Sequence, residues 1–521
     1  MAALSSTLRG LALLTLCLVS LSAGVQAFSQ SDTASGDSVQ SNPRVLILGG
    51  GVAGIIAART LHQNGLENFL IIEARDEIGG RLRSHTFGNG TTIELGANWV
   101  QGTQVGHGPS NPIWDLARKH NVSTVFNDYS SITTYDGAGL VNYTNIVDDA
   151  TDNLDKITEL AGERVTSNLI DLNARAGYSL VGAKPQSSHA KAAEYWNFDW
   201  EYGDTPSGSS LIAAGLNNNF TFDTDQGGFS DENRLSIDQR GFKTIITEEA
   251  NGFLRPSQLL LNSTVKRIKY SHSGVQVTLA NGTSITGDYV LCTFSLGVLQ
   301  NDDVIFDPVL PDWKMEAIQS MTMTTYTKIF LQFPHKFWFN TEMGLYADDE
   351  RGRYPVWQSL DHPKFLDGSG ILFATVTGQY SERIEALPDR QVQSEVMDIL
   401  RSMFPDTNVP SPSDFFFPRW HSDPLYRGSY SNWPASFTRE HHDNLRASVG
   451  VGGRERLWFA GEATSFKYFG FLHGAYTEAV SVTQEMIRCI RRGQCTGLGH
   501  FDEVRNVRPY DTIWIRGARR R

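Results

Sequence analysis

The chain has 521 residues, 40% of them hydrophobic and 20% charged, with a formal net charge of -12. This length holds two large cores, and the composition is that of a globular protein rather than a fibrous or disordered one. The acidic balance argues against a nucleic-acid partner and favours cationic ligands.

Residues 1–27 have the form of a secretory signal. Arg9 is the early charge, Leu11–Leu21 the apolar core, and Val25-Gln26-Ala27 a small-x-small cleavage site. The apolar run is short for a membrane span, although a retained anchor is the alternative, and no later stretch is long and apolar enough to predict one. Phe28–Pro43 is rich in Ser, Asp and Gln and is expected to be a disordered lead-in.

From Arg44 to Arg83 the elements of a dinucleotide site come in order. Val45–Leu48 is a short apolar run that predicts a buried strand. Gly49, Gly51 and Gly54 then form G-x-G-x-x-G, for the tight turn, the approach of a pyrophosphate and the packing of a helix. Ala53–Gln63 is helix-like and stops at Gly65. Phe69–Ile72 is a second strand, and Glu73 ends it where a carboxylate accepts the ribose hydroxyls. The phosphates belong at the helix N-terminus. An ordinary βαβ unit is the alternative.

Further along, Ser110-Asn111-Pro112 reads as a cap followed by Pro at a helix start. A long helical pattern spans Asp148 to about Ala176, and another covers Ala190–Tyr202. Neither belongs to a dinucleotide unit, so a second domain is inserted here. Leu259–Ile268, Gly274–Leu279 and Ser284–Phe294 read as strands, with Asn281-Gly282 as a hairpin turn. Met321–Phe333, the aromatic-rich Phe337–Trp357 and a helix at Arg390–Met403 resume the second domain. Arg456–Ser465 is a strand entering a glycine turn, and a helix opens at His473 and runs to about Arg491. Arg516–Arg521 reads as a solvated end.

Six N-x-[ST] sequons, at Asn89, Asn121, Asn142, Asn219, Asn262 and Asn281, predict surface N-glycans on a secreted protein. Cys292 reads as a buried, inert thiol, and Cys489 and Cys495 flank a short turn and are expected to form a disulfide clip.

The continuation after Glu73, Ala-Arg-Asp-Glu-Ile-Gly-Gly-Arg, and ELGANWV at Glu94–Val100 resemble the flavin amine oxidases. That family spans monoamine oxidases, polyamine oxidases and flavin-dependent histone lysine demethylases. The resemblance runs from Arg44 to about Cys495 and is strongest to secreted plant-type polyamine oxidases. It rests on NWV-x-G at Asn98–Gly102, FD-x-E at Phe198–Glu201, DQRG at Asp238–Gly241, SLGVLQ at Ser295–Gln300, YTKIFL at Tyr326–Leu331, SNWP at Ser431–Pro434 and HGAY at His473–Tyr476. The implied fold is α/β: a discontinuous Rossmann-like FAD-binding domain over 44–115, 230–300 and 446–495, and a substrate domain with a mixed sheet flanked by helices over 116–229 and 301–445, followed by a tail over 496–521.

The implied chemistry is hydride transfer from a polyamine (spermine, spermidine or acetylated forms) to flavin N5, with dioxygen as the final oxidant. The products are an aldehyde, a smaller amine and hydrogen peroxide. The implied cofactor residues are Gly49, Gly51, Gly54, Glu73, Arg75, Arg81, Gly96, Ala97, Asn98, Val265, Glu462, Gly470, Phe471 and Leu472. Lys328 matches the lysine that holds a water against N5; from the pattern alone it could equally be a surface lysine on an edge strand. Tyr430 and Phe471 would sandwich the amine, and Trp99 and Tyr326 would line its path; core packing is the alternative. Glu201 matches an acidic substrate contact, with a solvated helix-end charge as the alternative. Two departures stand out. Gln101 occupies a position that is often Glu in the family, and Ser429 stands where monoamine oxidases carry the cysteine that binds flavin covalently, so FAD is expected to be noncovalent. No metal site is expected. Competing readings are an oxidase of another amine or of an L-amino acid on the same fold, and a flavin-binding glycoprotein without turnover.

Overall fold

A computed structural model describes residues 44–492 and 497–503. The signal sequence, the lead-in, Cys495 and the basic C-terminal run lie outside the described residues.

The opening stretch folds as its sequence predicts. Strand Val45–Leu48 is wholly buried and pairs in parallel with Phe69–Ile72 on one side and Tyr289–Cys292 on the other. Such a two-sided burial is why the run is continuously apolar rather than alternating. Six strands make this sheet, in the order Leu259–Leu260, Phe69–Ile72, Val45–Leu48, Tyr289–Cys292, Arg454–Phe459, Val449–Val451, with only the last antiparallel. Helices Val52–Gln63 and Leu472–Arg492 pack against each other over one face. Gly65 comes after the first helix at φ +72°, a conformation that glycine adopts without strain.

A second sheet of seven strands is mixed, in the order Asp414–Phe416, Tyr326–Gln332, Ile371–Thr377, Val356–Ser359, Met343–Ala347, Ile132–Asp136, Gly139–Leu140. Tyr326–Gln332 lies inside it, paired on both sides. The chain is thus an α/β protein with a Rossmann-like parallel sheet and a mixed sheet flanked by helices.

Several predicted elements are subdivided. Leu259–Ile268 is two strands: Leu259–Leu260 joins the parallel sheet, and Val265–Ser271 joins a four-stranded sheet with Gly274–Leu279, Ser284–Gly287 and Ile305–Asp307. The break is at Asn262, at φ +53°, where the chain turns and Ser263 donates its N–H to the Glu73 carbonyl. Ser284–Phe294 divides likewise at Asp288, so that Tyr289–Cys292 enters the parallel sheet. The long helix covers Thr144–Thr166 and stops at Asn168, also left-handed, before a short helix at Ala174–Leu180. The helix over Ser188–Tyr202 contains a π-helical turn at Tyr195–Asp199.

Asn111 caps the helix Pro112–Lys119, its side chain accepting from the Ile113 N–H. Cys292 is buried, and burial pushes its thiol up to about 12. Cys489 is buried on the last helix. Five sequon asparagines are exposed; Asn219 is half-buried on helix Leu211–Phe222, and its sequon partner Thr221 is wholly buried. No described helix is long and apolar enough to cross a membrane.

Candidate active site

One cavity of about 440 Å³ runs from the glycine turn to a wall of aromatic side chains. It collects every residue singled out from the sequence except Gly54. Gly54 acts at one remove: a Cβ there would stand 1.9 Å from the Gly49 carbonyl oxygen, so only glycine lets the helix close on the turn.

The turn end suits a dinucleotide. Gly49, Gly51, Val52 and Ala53 line the cavity at the N-terminus of helix Val52–Gln63. The first N–H groups of a helix have no internal partner, and the dipole there favours phosphate. The buried Glu73 carboxylate accepts from the Gly50 N–H at 2.6 Å and the Arg75 N–H at 2.9 Å. Each oxygen keeps a lone-pair direction for a ribose hydroxyl. Val265 lines the same end, delivered by the turn at Asn262. Farther in, Arg81 Nη1 bridges Glu462 Oε1 and the Ser429 carbonyl, both at 2.8 Å. Glu462 also accepts from Ser431 Oγ and from the Gly470 N–H. Arg81, Glu462 and Gly470–Leu472 therefore form one braced segment of wall.

Lys328 sits at the middle of the cavity and is 2% exposed. The edge-strand surface lysine is ruled out. Its Nζ donates to the Gly96 carbonyl at 2.6 Å, Asn98 Oδ1 at 2.7 Å and the Glu94 carbonyl at 3.2 Å. Gly96 is required here, because a Cβ would lie 1.8 Å from the Arg81 carbonyl oxygen. The ring of Trp99 stands 5.0 Å from Nζ. Burial lowers the lysine to about 7, against an opposing pull from Glu94, whose own buried carboxyl is raised to about 7 while accepting from Ser84 Oγ and the Phe242 N–H. A charged Lys328 spends all three N–H groups on protein acceptors. The neutral amine has two N–H groups and a lone pair, and so has an atom to offer a water or a substrate proton.

The far end is aromatic. Trp99, Tyr129, Trp200, Tyr326, Tyr430 and Phe471 line it. Trp200 meets Trp99 edge-on at 5.9 Å and Tyr129 at 5.1 Å, and stacks on Trp196 at 4.8 Å. The Tyr430 hydroxyl donates to the Glu201 carbonyl at 2.9 Å. The Glu201 carboxyl is half-buried on the cavity wall and reaches no donor among the described residues. Desolvation alone raises it to about 7. Glu201 thus stands near its helix end with the side chain on the wall of the cavity. A second cavity of about 450 Å³ shares Tyr129, Trp200 and Glu201 with the first and adds Asp148 and Asp231.

Ser429, in the covalent-cysteine position, exchanges hydrogen bonds with the Tyr326 backbone, and none of the cavity-lining residues is a cysteine. Among the described residues no cluster of His, Cys, Asp and Glu has the makings of a metal site. Sequence reasoning did not find Tyr129 or Trp200. Trp200 lay inside the FD-x-E string and was the one available signal; Tyr129 is in a loop with none.

The family model for flavin-containing amine oxidoreductases matches residues 52–487. The chain is 36% identical to polyamine oxidase 6 of Oryza sativa subsp. japonica and to polyamine oxidase 1 of Zea mays, each over 478 residues, 87% of this chain and 92% of the relative. Its fold is that of a solved putrescine oxidase bound to putrescine, at a TM-score of 0.67 and 18% identity, covering 86% of this chain and 99% of the other. Glycine turn, ribose carboxylate, buried lysine and aromatic wall agree with that match, and the chain belongs to the flavin-containing amine oxidoreductases.

Proposed function

We propose that the protein oxidises polyamines, yielding an aldehyde, a smaller amine and hydrogen peroxide, with dioxygen as oxidant. Bound noncovalently, FAD would supply the hydride acceptor; Gly49, Gly51, Glu73, Arg81 and Glu462 would hold it. The observation that carries the reading is the presence on one aromatic cavity of a buried lysine lowered towards neutrality and an unpartnered, half-buried carboxyl. Glu201 attracts an ammonium, Tyr430 and Phe471 hold the alkyl chain between rings, and Lys328 receives or relays a proton at the reacting nitrogen. The aromatic wall keeps bulk water from the carbon that loses hydride. The names of the relatives support polyamines as the amine class.

An L-amino acid substrate needs a cationic clamp for its carboxylate. The arginines lining the cavity are Arg75 and Arg81, both beside the acids of the cofactor end, which favours an amine without a carboxylate. Rapid mixing of the flavin-loaded protein with spermine, spermidine or a simple monoamine, without oxygen, tests this. Bleaching by polyamines is expected; bleaching by the monoamine alone would overturn the polyamine assignment.

Segments 44–115, 230–300 and 446–495 form the cofactor lobe in this reading, and 116–229 and 301–445 the substrate lobe. The protein is also read as secreted, with glycans on the five exposed sequons and a Cys489–Cys495 clip. Recovery from culture medium with an endoglycosidase-sensitive mass would bear this out.

A further inference from the structure

The carboxylates lining the main cavity are Glu73, Glu201, Asp303 and Glu462. Three are already engaged: Glu73 by two backbone N–H groups, Asp303 by Arg427, and Glu462 by Arg81. Glu201 alone remains for a cationic ligand. With Trp200 it follows directly on the π-helical turn Tyr195–Asp199, so whatever fixes that turn fixes the amine-binding end of the cavity.

The turn is held at both ends. At its start the Tyr195 hydroxyl pairs with Thr377 Oγ1 at 2.9 Å. At its close Asp199 is 2% exposed, and its carboxylate accepts from Arg351 Nη2 at 2.6 Å and Nε at 3.2 Å. No other described residue donates to that side chain. The remaining arm of the same guanidinium, Nη1, reaches Glu194 Oε1 at 2.8 Å. Glu194 is buried too and is braced from its other side by Arg175 Nη1 at 2.7 Å.

Glu194 and Asp199 are five residues apart. In an α-helix that spacing separates two side chains by about 140° around the axis. Here the Trp200 N–H donates to the Tyr195 carbonyl, five residues back, and this wider winding brings residues five apart to one face. One planar guanidinium then reaches both acids. A return to α-helical winding would part them, leave Asp199 in the interior without its cation, and swing Trp200 and Glu201 by about 100°. Arg351 itself follows strand Met343–Ala347 and lines neither cavity.

We propose that Arg351 is a positioning residue for amine recognition: by bridging Glu194 and Asp199 it holds the π-helical turn in the winding that sets Glu201 and Trp200 on the cavity. This rests on the polyamine-oxidase reading, in which Glu201 meets an ammonium, and adds the residue that keeps that acid in place.

The test is a double-mutant cycle read by steady-state kinetics of the flavin-loaded protein with spermine, spermidine and a simple monoamine. Arg351→Met should raise KM for the polyamines about tenfold, the scale of one lost charge-assisted contact, with kcat near wild type. Glu201→Gln should raise KM likewise. Arg351→Met added to Glu201→Gln should raise it by less than about twofold more, because the group being positioned is already gone. Arg351→Lys keeps the charge and guards against loss of the fold, but one ammonium lacks the fork that serves both acids, so KM should still rise several-fold. Visible flavin absorbance should be the same in every variant. A KM that Arg351→Lys and Arg351→Met leave unmoved, or effects of Arg351→Met and Glu201→Gln that multiply in full, overturns the positioning role while leaving polyamine oxidation standing. Wild-type turnover of the monoamine with neither polyamine oxidised overturns both.

Discussion

The ring of His473 lies flat against Phe471, centroids 4.8 Å apart and planes 18° apart. Its protonation pattern is fixed by neighbours. Asn111 Oδ1 accepts from the Ile113 N–H, so its amide nitrogen faces His473 Nδ1, which must be the acceptor; Nε2 then donates to Thr221 Oγ1 at 3.1 Å. Burial lowers the imidazole to about 3, so it stays neutral.

His473→Phe keeps the flat backing ring and strands Asn111 and Thr221. It should lower stability by about 1–3 kcal/mol while kcat and KM stay near wild type. His473→Gln keeps polar atoms but removes the ring, and should raise KM several-fold as Phe471 loses its support. Thermal unfolding beside steady-state kinetics separates the two; equal kinetics for both variants would show that the stacking does not position Phe471.

Glu201 should carry a pH signature. Its carboxyl is raised to about 7 by burial, so in the free protein it ionises as pH rises through that value. KM for a polyamine is expected to fall over the same interval and to be flat in Glu201→Gln. Stability runs the other way. A raised acid binds more protons folded than unfolded between about 4.5 and 7, so its contribution is lost as pH rises. Glu201→Gln should therefore be more stable than wild type at pH 8, by about 1–3 kcal/mol, and nearly equal at pH 4. A melting-temperature difference independent of pH would refute this.

Lys328→Met keeps length and bulk and deletes the amine. Flavin loading depends on Gly49, Gly51, Glu73 and Glu462, so the variant should fold and stay yellow. Anaerobic bleaching or subsequent reoxidation should slow roughly tenfold or more once a positioned group at the reacting atoms is gone. In stability, the wild-type lysine has a folded value near 7 and an unfolded one near 10.5, so the unfolded chain binds more protons between them and wild-type stability rises with pH across that range. The variant should lack that slope. Wild-type rates in both half-reactions would reduce Lys328 to a packing residue.

Glu73→Ala removes the acceptor for the ribose hydroxyls and frees the Gly50 and Arg75 N–H groups. Cofactor binding should weaken by about 1–3 kcal/mol. Flavin titration measures it; full retention of flavin after gel filtration at low concentration would count against the assignment.

The cofactor end was legible in the sequence because its chemistry is local. Glycines, strand, helix and Glu73 lie within one βαβ unit, and each demand falls on a residue type. Lys328 was legible through its string, but its burial was not, since that depends on the distant segment Glu94–Trp99 closing over its amine. Asn111, Thr221 and His473 come from three distant segments, and no periodicity signals their meeting. The strand over Leu259–Ile268 reads too long because two strand-like runs, Leu259–Leu261 and Val265–Ile268, are separated by the polar Asn262–Thr264 alone, where a left-handed residue bends the chain.

The π-helical turn at Tyr195–Asp199 puts one more residue into a turn than an α-helix holds. Five residues there wind the chain about as far as four α-helical ones, so the added residue is absorbed within the turn and Trp200 and Glu201, immediately after it, keep the facing of an unbroken helix. The turn is thus the place in this helix where one residue can be gained or lost with the cavity's available acid and its neighbouring indole left in position, so a length difference there between related chains would change the numbering without moving either side chain.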